Sequence, residues 1–344
     1  MKFKAAILEQ LNAPLSIKEV EATDLQIGQV LVKVLTSGLC GAQLHEIKGH
    51  KDNEKFLPHL MGHEGCGIVK ETGPGVSTVK VGDKVVMHWR KGEGIESSFP
   101  QYLLQGRKMT SGKVTTLSEY SIVSENRITT VPQETPNELC ALLGCGLTTA
   151  LGIVDNEIDL KMGESVAIVG CGGVGLNLIQ GASLRSAYPI IAIDRVALKK
   201  HMALDLGASS FYNSLKECSN TQPFDVIIDT TGNVEVIGEM SKYLSSSGRM
   251  VLVGQPPPKK SLSIPNGINL FEGEGKMIKA TQGGKTNPTE DIPRYIKMNK
   301  AGILNINNII SHTFALHQVN EAFDLLRSGT AARIMIKMSE ENGR

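Results

Sequence analysis

The stretch Ser165-Val-Ala-Ile-Val-Gly170-Cys-Gly-Gly-Val-Gly175-Leu-Asn-Leu-Ile-Gln-Gly-Ala182 decides the fold. Residues 165–169 form an unbroken apolar run, the pattern of a strand buried on both faces, and the chain beyond Gly175 reads as a helix to about residue 187. Between them Gly170, Gly172 and Gly175 fit G-x-G-x-x-G, with Gly173 and Val174 in the intervening places. A second strand is predicted over 189–193, and it ends at Asp194, nineteen residues past Gly175. Strand, glycine turn, helix and a distal acid together specify a dinucleotide site. Gly170 permits the tight turn, Gly172 lets the backbone approach a pyrophosphate, and Gly175 lets helix pack on strand. The phosphates would sit on the helix N-terminus, where unpaired N–H groups and the dipole favour anions. The Asp194 carboxylate would accept from the ribose hydroxyls and repel a 2′-phosphate, favouring NAD, although Arg195 beside it would soften that repulsion. The competing reading is a glycine turn that binds nothing.

Working outward, the alternation continues through a helix ending near residue 206, a strand over 225–229, a helix over 234–244 and a strand over 249–253. Such alternation implies an α/β unit with a parallel, doubly wound sheet. Before residue 145 the character is different. Short β-rich runs at 30–35 and 67–70, punctuated by Gly73-Pro74-Gly75 and Val81-Gly82-Asp83, indicate a mostly antiparallel, barrel-like unit. Beyond about residue 285 the chain returns to mixed structure, with an amphipathic helix over 317–327 stopped by Gly329 and a last strand over 333–337. A chain of 344 residues is long enough for two cores. The expected domains are therefore 1–148 together with 286–344, and 149–285.

Composition limits the partners. A net charge of +1 gives no electrostatic case for nucleic acid or an anionic membrane, and no signal-peptide pattern or membrane-length apolar run occurs. The expectation is a cytoplasmic protein acting on a small molecule. Six cysteines without a C-x-x-C pair argue against a disulfide framework, so each is a buried apolar group or a metal ligand. Three polar candidates stand between glycines: Cys40 in Ser37-Gly-Leu-Cys40-Gly41, His63 with Glu64 in Gly62-His-Glu-Gly65, and Cys145 in Leu143-Gly-Cys145-Gly146. Two thiolates and one imidazole leave one tetrahedral position open, the donor set of a catalytic zinc. Judged alone, the same three residues also read as ordinary core residues.

The order of motifs supplies a resemblance. Cys40-Gly-x-x-x-His45, Gly62-His63-Glu64, Gly82-Asp83-Lys84-Val85, Cys145-Gly-Leu-Thr-Thr149, Gly170-x-Gly-Gly-Val-Gly175 and the tail Asn320 to Gly329 followed by Arg333 resemble the medium-chain zinc alcohol dehydrogenases over nearly the whole chain. The resemblance implies a GroES-like catalytic domain interrupted by a Rossmann domain. It implies one catalytic zinc per subunit on Cys40, His63 and Cys145, with Glu64 able to approach the metal. It places Thr149 and Val174 against a nicotinamide and Arg333 on the pyrophosphate. The activity it implies is hydride transfer between an alcohol and NAD, giving an aldehyde or ketone, in a homodimer or homotetramer. Residues 303–310, rich in isoleucine, are the expected interface.

Three positions depart from the family pattern. No cysteine falls within 90–113, where a structural zinc lobe would lie, so that lobe is expected to hold no structural zinc and to be held by packing alone or mobile. Ala42 replaces the hydroxyl that begins a proton relay whose outer member matches His45. Gln43 replaces an acid that orients the zinc-bound imidazole; an amide could still orient His63 but adds less basicity. Trp89, the sole tryptophan, matches an aromatic that lines the substrate pocket, or is a core residue; His88 and Leu117 are weaker lining candidates. The missing hydroxyl at 42 favours a polyol or sugar-like secondary alcohol that brings its own. Two alternatives stay open: a zinc-free NAD(P)H-dependent reductase on the same fold, and a non-catalytic nucleotide-binding protein.

Overall fold

The computed structural model describes residues 1–218 and 223–338. By its contacts the chain divides into two compact units, one of residues 1–148, 287–306 and 310 onward, the other of 149–286 and 307–309.

The first unit is built from β1 (Lys2–Leu8), β2 (Ser16–Ala22), β3 (Gln29–Leu39), the short helix α1 (Gly41–Ile47), β4 (His59–Leu60), β5 (Glu64–Thr72), β6 (Lys84–His88), β7 (Gln101–Leu104), β8 (Arg107–Thr110), β9 (Tyr120–Ser124), β10 (Ile128–Val131) and α2 (Asn137–Leu143). It is completed by α7 (Pro288–Lys300), β17 (Ile310–Ala315), α8 (Val319–Ser328) and β18 (Arg333–Lys337), whose numbers follow the chain. The second unit begins within α3 (Gly146–Gly152) and carries β11 (Val166–Val169), α4 (Gly173–Leu184), β12 (Ile190–Ile193), α5 (Lys200–Asp205), β13 (Ser210–Tyr212), β14 (Phe224–Asp229), α6 (Val234–Met240), β15 (Leu244–Leu252) and β16 (Met277–Ala280).

In the first unit one sheet runs β4-β1-β2-β7-β8 and a larger one runs β10-β6-β5-β3-β18-β17, with β9 also paired to β3. Pairing is antiparallel except between β17 and β18. The core lies between the sheets and α8, where Val32, Val34, Val69, Met87, Leu117, Phe323 and Ile336 are buried together. The α8 helix stops where Gly329 turns left-handed at φ 72°, as its position predicts. In the second unit the sheet is parallel throughout, in the order β13-β12-β11-β14-β15-β16. Counting strands within that unit, this is 3-2-1-4-5-6, the doubly wound dinucleotide-binding order. Among the described residues no single helix is long and apolar enough to cross a membrane. All six cysteines are free thiols.

Two expectations need correction. The segment after Trp89 is not held by packing alone. Glu96 takes ion pairs from Lys91, Lys113 and Arg127 at 3.1–3.2 Å and a hydrogen bond from Asn126, and neighbouring Glu125 accepts the backbone N–H groups of Ser77, Thr78 and Ile95. Beyond this hub β7 and β8 close a hairpin over Gln105 and Gly106, both left-handed. The isoleucine-rich stretch is also mostly spent inside: Leu304, Ile306 and Ile309 are buried, and Ile303 alone of its isoleucines stands well out, at 53 % exposure.

Candidate functional site

Four adjacent strands, β6, β5, β3 and β18, carry the site at one end of the larger sheet. The β3–β18 register pairs Leu39 with Ile334, which sets Cys40, just past β3, beside Arg333 at the start of β18. The β5–β6 register pairs Glu64 with His88, so His63 and Trp89 leave the sheet at the same end. Cys145 comes from the turn between α2 and α3. That turn lies hard against β5: a Cβ on Gly144 would fall 2.4 Å from the Met87 carbonyl oxygen and 2.7 Å from Glu64 Cα, so only glycine fits.

The thiol sulfurs of Cys40 and Cys145 and a ring nitrogen of His63 lie within 4.8 Å of one another. Ligands 2.0–2.3 Å from a tetrahedral ion are separated by about 3.3–3.8 Å, so the three donors fit one zinc with little movement. The two thiols also hydrogen-bond each other. One proton of this pair comes off easily, because the partner thiol, the His63 imidazole and the positive charges of His63 and Arg333 stabilise a thiolate at Cys40. The other is held well above the ordinary thiol range by that same hydrogen bond, by burial and by the charge at Cys40. Burial alone would depress His63, but the Cys40 thiolate outweighs it and raises the imidazole.

Glu64 is wholly buried. Its carboxylate pairs with the Arg333 guanidinium and accepts the Gly146 N–H at 3.2 Å. Burial pushes its pKa up while Arg333 opposes the rise. The pair ties β5, β18 and the Cys145 turn to each other. The resemblance implies that Glu64 lies near the metal-ligand candidates, but its tether to Arg333 spans residues too distant for local patterns to reveal.

Around this centre the other candidates separate. Cys40 caps the N-terminus of α1, and the Gln43 side-chain oxygen accepts the Cys40 N–H at 2.8 Å. Gln43 therefore orients a ligand-bearing turn; its amide nitrogen is buried without a hydrogen-bond partner. Ala42 is half-buried, and His45, three residues on, shares its side of the helix. Trp89 is half-buried with Arg90 5.6 Å from its ring centroid, and Arg127 donates to its backbone carbonyl. His88 is closed off instead: Nδ1 lies 2.7 Å from the Arg90 carbonyl oxygen and Nε2 2.9 Å from Thr129 Oγ1, so the neutral ring donates to one and accepts from the other. Burial holds its pKa at about 4. Leu117 is a fully buried core residue.

The glycine turn of the second unit sits between β11 and α4. A Cβ on Gly175 would lie 1.8 Å from the Gly170 carbonyl oxygen, and one on Gly172 would meet nothing within 4 Å. The first glycine is thus demanded by the chain itself, and the second borders open space beside the α4 N-terminus, whose first turn carries no acid. This suits a pyrophosphate. Gly173 opens α4, Val174 beside it is half-buried, and Thr149 is buried in α3. Asp194 follows β12. Its Oδ2 accepts the Cys171 N–H at 2.7 Å and the Lys199 ammonium at 3.1 Å, and its Oδ1 accepts the Val196 N–H at 2.9 Å. A carboxylate oxygen takes two hydrogen bonds, so Oδ1 keeps a place for a ribose hydroxyl. Lys199 was missed by the sequence reading; its signal is a lysine five residues past the acid. Arg195 is exposed.

Comparison with known proteins identifies the family and fold. The sequence profile described as "Alcohol dehydrogenase GroES-like domain" matches residues 26–133, and that described as "Zinc-binding dehydrogenase" matches 173–300. An NDMA-dependent alcohol dehydrogenase of Amycolatopsis methanolica is 30 % identical, with 99 % of this chain and all of that protein covered. An S-(hydroxymethyl)glutathione dehydrogenase of Paracoccus denitrificans is 28 % identical over 98 % of this chain and all of the relative. The crystal structure of benzyl alcohol dehydrogenase from Acinetobacter calcoaceticus shares the fold at a TM-score of 0.88 and 24 % identity, covering 98 % of this chain and all of that one. The chain is therefore a member of the zinc-containing alcohol dehydrogenase family of medium-chain dehydrogenases.

Proposed function

We propose that the protein is a zinc-dependent, NAD-linked alcohol dehydrogenase, with Cys40, His63 and Cys145 holding one zinc per subunit. The observation that carries this reading is the convergence of those three donors within 4.8 Å, at a sheet end shared with Trp89. Bound at their sites, the ion would supply Lewis-acid activation of an alcohol oxygen, and the nicotinamide would supply a hydride acceptor.

The chain's own residues do the rest. Cys40 and Cys145 give up their protons and His63 stays neutral on its ligating nitrogen. Glu64 holds the Cys145 turn through the Gly146 N–H and keeps the Arg333 charge beside the thiolates. Gln43 fixes Cys40 from below. Asp194 and Lys199 would meet the adenine-side ribose, the Gly172 edge of the loop the pyrophosphate, and Thr149 and Val174 the nicotinamide, whereas Arg333, which the resemblance assigns to the pyrophosphate, is buried against Glu64. Burial, with the charges of His50, Lys51 and Lys48, holds His45 below the usual imidazole range, so its ring is a neutral acceptor for the departing proton. Because Ala42 offers no hydroxyl, the substrate class that fits is a polyol or sugar-like secondary alcohol able to pass that proton through its own hydroxyl. The reading carries with it the domain division 1–148 with 286–344 and 149–285, a homo-oligomer, and a cytoplasmic setting.

Metal analysis with a screen of alcohols, polyols and aldehydes at the nicotinamide absorbance tests it. One tightly held zinc with NAD-linked turnover is expected, together with loss of both in Cys145→Ser. Zinc-free protein that still turns over would overturn the reading.

A further inference from the structure

The α1 helix ends in a way that brings two histidines together outside the Cys–His–Cys centre. Gly49, left-handed at φ 72°, reverses the chain after Lys48. The Gly49 N–H donates to the Glu46 carbonyl at 3.0 Å and the His50 N–H to the His45 carbonyl at 2.9 Å. This pair of bonds is the Schellman motif, which frequently brings the side chain of the residue after the turn glycine against the one five positions earlier. In most helices those two positions are apolar. Here both are imidazoles, with Nδ1 to Nδ1 at 3.4 Å and ring centroids at 5.2 Å.

Those two lengths, with the rings edge-on at 74°, match a shared ion more closely than a collinear hydrogen bond. Nitrogens each 2.0–2.1 Å from a tetrahedral metal are about 3.3–3.4 Å apart, and rings aimed at that common point have centroids about 5.2 Å apart. A collinear N–H···N contact of the same length would hold the centroids about 5.7 Å apart, and its 3.4 Å is long for a hydrogen bond, which prefers about 2.7–3.2 Å. The geometry points to a second metal site, in which His45 Nδ1 and His50 Nδ1 chelate one divalent transition ion such as zinc, with water filling the remaining positions. Both rings are half-buried, so each Nε2–H can face solvent while Nδ1 turns inward. The lowered pKa of His45 keeps its lone pair free near neutral pH. Lys48 and Lys51 oppose a dication here, and Glu46, 3.4 Å from Lys51, partly offsets them, so the ion is exchangeable rather than permanent.

This binding uses none of Cys40, His63 or Cys145, but it shares His45 with the proposed proton route, so its test reads metal content rather than turnover. Equilibrium dialysis of the native protein against Co²⁺ near neutral pH, with metal counting and absorption spectra, tests it. The expected result is one tight equivalent, native zinc or cobalt showing intense thiolate-to-metal bands, and one exchangeable cobalt equivalent with only weak d–d bands. His50→Gln and His45→Gln should each lose the exchangeable equivalent and retain the tight one, which also reports that the variant has folded. An exchangeable equivalent that persists in both variants, or none taken up by the native protein, would overturn the proposal. Absence of any tightly held equivalent, whether native zinc or cobalt with thiolate bands, would sink the Cys–His–Cys reading and leave this site standing.

Discussion

Replacing Glu64 with glutamine keeps the shape of the side chain and an oxygen for the Gly146 N–H, but removes the charge that faces Arg333. Glu64 is wholly buried and the Arg333 side chain only 4 % exposed, so the guanidinium is left as a buried cation that has lost its carboxylate partner. Breaking a buried pair from one side costs about 3–5 kcal/mol, and the Cys40 thiolate that also faces Arg333 keeps the cost near the lower figure. In a unit of roughly 200 residues each kcal/mol moves the midpoint of unfolding by about 2–4 °C, so the metal-free variant should melt about 6–12 °C below its parent. Near-ultraviolet circular dichroism against temperature is the assay. Arg333→Met should lose a similar amount, and the double variant should recover much of the loss, because no charge is then stranded. A Glu64→Gln midpoint within about 2 °C of the parent would refute the reasoning, since it would mean that the pair is solvated.

Gly175→Ala places a Cβ 1.8 Å from the Gly170 carbonyl oxygen, so the turn must open; NADH fluorescence titration should show binding weakened at least about tenfold, or about 1.4 kcal/mol, in a variant that remains folded. Glu96 is drawn down to about 2: burial works against this, but the hydrogen bonds from Asn126, Lys113, Arg127 and Lys91 prevail. Its folded pKa lies below its unfolded value, so its stabilisation is present above about pH 4 and fades as pH falls towards 2; being partly solvated it is worth about 1 kcal/mol or less, and Glu96→Gln should flatten the acid limb of a stability–pH profile by that amount. Ala42→Ser restores a hydroxyl one helical turn from His45, and the pH profile of turnover should shift; an unchanged rate and profile would take position 42 off the proton route.

Much of the cofactor unit was legible because its signals are local. The apolar run at Val166–Val169, the glycine spacing and Asp194 after the next strand are each set by neighbours in sequence, and β11, α4 and β12 lie where those signals put them. The three metal-ligand candidates were legible as types flanked by glycine, although nothing local states that they meet. What escaped detection depends on long-range pairing or short length. Glu64 and Arg333 are 269 residues apart, and the Glu96 hub draws on charged residues that read, one by one, as solvent-facing. The α1 helix spans only Gly41–Ile47, too short for a period to show. The helix read over 317–327 instead starts with a tight turn at Leu316–Gln318 before α8 begins.

The Arg333 contact also sets when the centre can exist during synthesis. Cys40, His63 and Cys145 leave the ribosome early, yet the guanidinium that compensates Glu64, and the strand that runs beside the Cys40 end of β3, arrive only at Arg333–Lys337. Until then Glu64, at the root of the Cys145 turn, lacks the guanidinium that faces it in the folded unit. Clipping the polypeptide before residue 333 would therefore strip Glu64 of its guanidinium partner while leaving Cys40, His63 and Cys145 in the chain.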